Sequence, residues 1–418
     1  MLMQEAHLRR PRISVRLFGV VVASAAFMPF VPGFDIGTML FLASLAVFLF
    51  RVLLMDSVLY LPQSGLVRWR GLAIIAFFSL CICSVLWLLA HGGEVSHWFR
   101  AVVPFGFFML YPLFPQLTQL EVRHLAGCIL LGCALWSAKV FFLLIAAIDS
   151  NGVVVFLNRL TFFVTDSVLV FPLVGVPLLL FSNVVRSGVV RVSALSVLVF
   201  LYVWIGYRAG LVIIFGCFLI RFFFATFGSK ALISLIALMG LVPAASLAQF
   251  ELVEQLTLRY ATLIEDESDG SRVAELRYAW ESGTAAPVFG KGLGWQVPFD
   301  VAFAGVDPTS LGEQAARSSV GYIHSMPAYF FMNLGVIGLL LAIACYAPWR
   351  FSLSKLGSQD LGAAAALASL CVFSFSLTQA SFRTIQTIVL TVALVKIADS
   401  MWSTSALVVG AGGSGVRD

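Results

Sequence analysis

The chain alternates long apolar runs with short polar breaks. A helix needs about 20 mostly apolar residues to cross a bilayer. Twelve runs come close to or reach that length: 16–34, 37–55, 71–90, 99–115, 125–148, 167–184, 189–206, 209–226, 230–249, 322–347, 361–380 and 384–402. The pattern predicts an all-α polytopic membrane protein with about twelve transmembrane helices. Most breaks are short, and the seventh and eighth runs are separated only by "GYRAG". The exception is 250–321, about 72 residues of mixed polarity between the ninth and tenth runs. Within it, "LVEQLTLRYATLI" and "SRVAELRYAWESG" have helix-like spacing, and "GKGLGWQVPFDVAFAGVDP" is rich in turn residues. The chain thus divides into nine spans over 1–249, a long loop over 250–321, three spans over 322–402 and a flexible tail over 403–418. No internal repeat is visible.

Composition agrees with this pattern. Hydrophobic residues make up 60% of the 418, charged residues only 11%, and the mean hydropathy is +0.99. Soluble domains carry about 25% charged residues, so a water-soluble protein is excluded and the lipid bilayer is the expected environment. The first apolar run lacks the short length and small-residue cleavage site of a signal peptide and reads as a retained span. All seven cysteines fall inside apolar runs. No disulfide framework or cysteine metal site is therefore expected.

The net charge of +5 does not indicate nucleic acid, because its arginines follow the membrane topology. With the N-terminus in the cytoplasm, sixteen Lys and Arg fall on inner segments and four (Arg100, Arg159, Arg208, Arg383) on short outer loops. Five more lie in the long loop, and Lys139 lies within a span. The inside-positive bias places both termini in the cytoplasm and the long loop outside.

Cations on the outer face run against that bias and are candidates for chemistry. A guanidinium is a planar fork of donors suited to phosphate, so Arg208, Arg272, Arg277 and Arg383 together suit a lipid pyrophosphate. The alternative for each is simple solvation or snorkelling. Arg208 is the stronger candidate: "WIGYRAGLVIIF" leaves it at the membrane boundary, where charge is costly. His324 stands at the outer end of the tenth span, and its unperturbed pKa of about 6.5 suits proton transfer; alternatively it is structural. Lys139 is a functional candidate by its place in a span, or an interfacial or bundle-pairing residue. Arg100 and Arg383 are possible lining residues without a motif. Three other features have ordinary explanations beside functional ones. The acidic run Glu265 to Asp269 is a divalent-metal candidate or a solvated loop. Asp35, in the first outer loop, is a candidate base. The glycines Gly290, Gly292 and Gly294 form either a weak nucleotide-loop match or a tight turn returning the loop to the membrane.

In order along the chain, "YRAG", "GSR", "PVFGKGLG" and "HSMPAYFFMNLGVIG" resemble the motifs of the bacterial O-antigen ligases and the related O-antigen polymerases. The resemblance covers mainly residues 200–345. It departs from the family at His324-Ser325, where many members have His-Asn. It implies a metal-independent, inverting glycosyltransferase of the inner membrane, without a cofactor, whose active site faces the periplasm. The donor would be a glycan on undecaprenyl pyrophosphate, and the acceptor a sugar of the lipid A core or, for a polymerase, another repeat unit. By the same resemblance Arg208 and Arg272 would hold the pyrophosphate, with Arg277 a weaker partner, and His324 would act on the acceptor hydroxyl or the phosphate. A transporter of lipid-linked glycans is a more distant reading. Internal repeats and midplane charges favour that class, and this chain concentrates its charge on one face.

Overall fold

A computed structural model describes residues 11–28, 35–55, 66–113, 116–148, 169–205, 208–224, 267–302, 319–321 and 323–411. The described chain is built of helices: α1 Ile13–Ser24, α2 Ile36–Met55, α3 Leu66–Ala90, α4 Val95–Gly106, α5 Gln119–Ile148, α6 Val170–Phe181, α7 Gly188–Ile205, α8 Arg208–Phe223, α9 Glu267–Ala285, the single turn α10 Phe299–Ala302, α11 Met326–Tyr346, α12 Leu353–Gly357, α13 Leu361–Ser376 and α14 Ile385–Ala411. A two-residue antiparallel bridge pairs β1 Val297–Pro298 with β2 Ser319–Val320.

Helices coincide with eleven of the twelve predicted runs, and the ninth, 230–249, lies outside the described residues. Among the described residues, five helices are long and apolar enough to cross a membrane: those in Ile36–Leu53, Arg68–Ala90, Gln119–Phe142, Met326–Tyr346 and Ile385–Trp402. The other apolar helices are shorter. Helix α14 continues past 402 to Ala411, so the first part of the segment predicted as a flexible tail is helical.

Contacts fix how the helices run. At one end Arg12 pairs with Glu121 at 2.6 Å, and at the other Lys139 Nζ donates to the carbonyl of Phe27 at 3.2 Å, so α1 and α5 lie side by side and parallel. Helices α3 and α11 are antiparallel. Arg70, near the start of α3, donates to the carbonyls of Ala344 and Ala347, while the Phe77 and Phe330 rings pack edge to face further along. The two ends of the bundle differ in chemistry. One end gathers Arg12, Arg70, Glu121, Asp360 and Asp399. The other gathers Met28, Asp35, the end of α3, α9, the start of α11, and Arg383. Asp35 caps α2, accepting from the Thr38 backbone N–H at 2.9 Å and its hydroxyl at 2.7 Å. This is a standard use of Asp at a helix start.

Helix α11 is interrupted at Gly335, whose φ of 65° and ψ of −165° lie outside the helical region. Interrupting a helix frees backbone groups, and these need partners inside a membrane. The glycine loop after α9 supplies them. Lys291 N–H donates to Met332 O and Gly292 N–H to Asn333 O, both at 2.9 Å, and Val336 N–H donates to Pro287 O at 2.9 Å. The Asn333 side chain adds an acceptor for Trp295 N–H at 3.1 Å and donates to Tyr329 O at 2.8 Å. Gly290, Gly292 and Gly294 all have positive φ. A Cβ on them would overlap the backbones of Asn333, Leu88 and Trp98 respectively. The expected tight turn is therefore a plug, threaded between the end of α3, the start of α4 and the gap in α11.

Candidate functional site

Helix α9 carries one side of the site. Its buried positions Glu275, Ala279 and Gly283 recur every four residues and face α11. Gly283 leaves room for the Phe331 ring, which a Cβ would overlap. Helix α9 is described from Glu267, so the end of the acidic run, read from sequence as a solvated loop or a divalent-metal candidate, lies in a helix.

His324 enters from the other side, two residues before α11. Its Nδ1 lies 2.9 Å from Glu275 Oε2 and 3.2 Å from Oε1, and its backbone N–H donates to Oε2 at 3.2 Å. The Glu275 side chain is 2% exposed and that of His324 31%. A carboxylate can only accept from the ring at this distance, so Nδ1 carries the proton that faces Glu275 and the ring's orientation is fixed. This is the orientation logic of a catalytic base held by a carboxylate. Glu275 is the residue that sequence reasoning missed. The pairing spans 49 positions, and in "SRVAELRYAWESG" it looks like any helical glutamate.

Arg383 joins them from a 3₁₀ turn, Ala380–Arg383, just before α14. Its Nη1 donates to the carbonyl of Gly321, three residues before His324. Its guanidinium lies over the Tyr329 ring at 5.0 Å. The Tyr329 hydroxyl is buried and makes no hydrogen bond among the described residues. Arg272 is half-buried, one helical turn before Glu275, so the two share a face of α9.

The other candidates lie elsewhere or are only partly described. Arg277, two residues past Glu275, is exposed and turned from that face, so the structure does not gather it with His324. The backbone of Arg208 opens α8, but its side chain lies outside the described residues. Gly210 of "YRAG" packs so closely on Tyr202 that a Cβ would overlap its phenol. Arg100 is exposed on α4. Lys139 serves the backbone at the end of α1, donating to Phe27 O at 3.2 Å and Met28 O at 3.5 Å, and Gln386 reaches the same Met28 carbonyl at 3.5 Å. Asp35 is a partly buried cap held below the usual carboxylate range, first by the Thr38 hydroxyl and then by its N–H.

The arrangement offers a positioned proton acceptor beside fixed cations at one end of an apolar bundle. No family model matches the chain, and no curated protein is significantly similar to it.

Proposed function

We propose that the chain is an O-antigen-ligase-like glycosyltransferase that moves a glycan from undecaprenyl pyrophosphate to an acceptor sugar of the lipid A core. The observation that carries this reading is the His324–Glu275 pair, with Arg383 bound to the strand leading into it and Arg272 on Glu275's own helix face. In this reading the bundle has twelve spans in the inner membrane of a bacterium, with both termini cytoplasmic. The end bearing His324 faces the periplasm.

The proton on the acceptor hydroxyl passes to His324 Nε2 as the oxygen attacks the anomeric carbon. The bond from that carbon to the pyrophosphate oxygen breaks on the opposite face, which inverts the centre. Glu275 holds the imidazole in the tautomer that accepts the proton and balances its charge afterwards. Undecaprenyl pyrophosphate leaves with its negative charge facing the arginines. Fixed positive charge placed where charge develops is the largest contribution in reactions of this kind. Arg272 and Arg208 are assigned to the pyrophosphate by the sequence resemblance. Arg383 joins them on its place beside His324, and Arg277 is given no contact. The exposed stripe Val273, Leu276 and Trp280 on α9 suits a helix lying at the membrane surface, where tryptophan is enriched.

The test uses purified protein in vesicles with a lipid-pyrophosphate-linked glycan and a core oligosaccharide. Transfer releases undecaprenyl pyrophosphate and extends the core. Polymerase chemistry on the same site releases the carrier but lengthens the carrier-linked glycan. A transporter moves the donor with its bond intact, and that result sinks the enzyme reading.

A further inference from the structure

The opposite end of the bundle carries arginines that glycan transfer does not use. A cavity of about 440 Å³ there is lined by Arg123, near the start of α5, and by Asn183, Val184 and Arg186, in the turn between α6 and α7. It shares Arg123, Asn183 and Val184 with a smaller cavity of about 180 Å³, which also touches Gln119 and Asp360. Arg191, on the first turn of α7, and Arg221, near the end of α8, are close enough for their charges to interact. Arg221 also lies 5.9 Å from the ring of Phe181, two residues before Asn183. Four guanidinium groups thus lie in or near one short turn, 182–187.

Among the described residues Arg123, Arg186 and Arg191 make no ion pair, and Arg191 Nε is buried without a hydrogen-bond partner. The one carboxylate at the rim, Asp360, caps α13 through Ala363 N–H at 2.8 Å. Like charges drawn together without an anion repel one another. A buried guanidinium donor left unmatched also costs stability. Ordinary topological arginines need neither a cavity nor a neighbour of the same sign. Basic pockets between membrane helices on the cytoplasmic side are a known way to hold anionic headgroups, and guanidinium forks match phosphate oxygens.

We propose that this cavity binds a phosphoryl anion, with Arg123 and Arg186 as direct ligands and Arg191 and Arg221 supplying the field behind them. The site is separate from His324, and the proposal stands whether or not the chain transfers glycans. The experiment measures thermal unfolding of the purified, detergent-solubilised protein during titration with cardiolipin, phosphatidylglycerol, phosphatidylcholine or inorganic phosphate. Anionic lipids are expected to raise the midpoint at concentrations at least tenfold below any effect of phosphatidylcholine. The R123Q/R186Q double variant, both of whose positions are exposed, should lose that shift. R350Q, which removes an exposed charge outside the cavity, should keep it. Lipid-selective stabilisation identifies a headgroup as the source. Stabilisation by inorganic phosphate alone, also lost in the double variant, identifies a soluble phosphoryl ligand. Equal shifts in wild type and double variant, or none with any anion, would overturn the site.

Discussion

Glu275 has a side chain 2% exposed and a neighbour, His324, that is reachable from outside. In the proposed reaction the outward imidazole, not the inward carboxylate, meets the substrate. Replacing Glu275 with Gln keeps the shape but presents an amide, whose N–H favours the wrong imidazole tautomer. E275Q is therefore expected to lower kcat by about 10²–10⁴, the range for losing a general base, with an almost unchanged unfolding midpoint; H324A should do the same. Arg383→Gln should cost on the order of 10²–10³ if its charge stabilises the leaving group. The measurement for all three is initial-rate transfer in vesicles, with thermal unfolding as the folding control. Asp35 belongs to the opposite class. Its folded-state pKa is depressed, so the charged cap contributes in full above the unfolded value of about 3.8 and is lost only as acid carries the pH below the lowered one. D35N should transfer glycan at the wild-type rate, and a large loss would restore Asp35 as a candidate base.

At the scale of elements, the apolar runs were legible because a bilayer imposes one length and one composition on whatever crosses it. Among the described residues, helices therefore stand where eleven of the twelve runs predict them. The interruption of α11 was not legible. The run 322–347 is continuously apolar, and a glycine inside such a run does not by itself end a helix. It ends here because Lys291 and Gly292, more than forty positions away, bring donors to the freed carbonyls of Met332 and Asn333. The candidate site divides the same way. Arg272 and Arg383 were visible as charges on the outer face and His324 as a lone histidine at a span's outer end, whereas Glu275 became visible only once α9 was laid against α11. Substituting Ala at Gly290 or Gly292 forces a Cβ onto backbone at positive φ and is expected to cost roughly 1–3 kcal/mol or more. Removing the Asn333 acceptor leaves Trp295 N–H with only the Gly292 carbonyl at 3.2 Å and should cost about 1 kcal/mol. Both are read by thermal unfolding in detergent.

Across the whole molecule, Arg70 and Asp399 join α3 to α14 through a buried pair at 2.6 Å, and Tyr111 donates to the same carboxylate oxygen at 2.7 Å. Arg70 also donates to Ala344 O and Ala347 O, at the far end of α11 from His324. Removing one partner of a buried pair strands the other charge, at a cost of about 3–5 kcal/mol. D399L should therefore yield little folded protein by fluorescence-detected size exclusion, and R70M/D399L should recover much of it. The sidedness of the bundle is checked by placing single cysteines in a cysteine-free background: V273C on α9 should react with an impermeant thiol reagent added outside intact cells, and S354C on α12 should not. The joint at Gly335 also bears on how the chain is made. The stretch before it, Met326 to Leu334, is about nine residues, or roughly 13 Å of helix, too short to cross a bilayer alone. In the proposed topology the loop that completes it lies earlier in the chain and crosses the membrane before this stretch arrives. Insertion of α11 is then a meeting of two segments rather than the threading of one. A glycine substitution in the loop would then appear first as a biogenesis defect, with protein degraded before assembly.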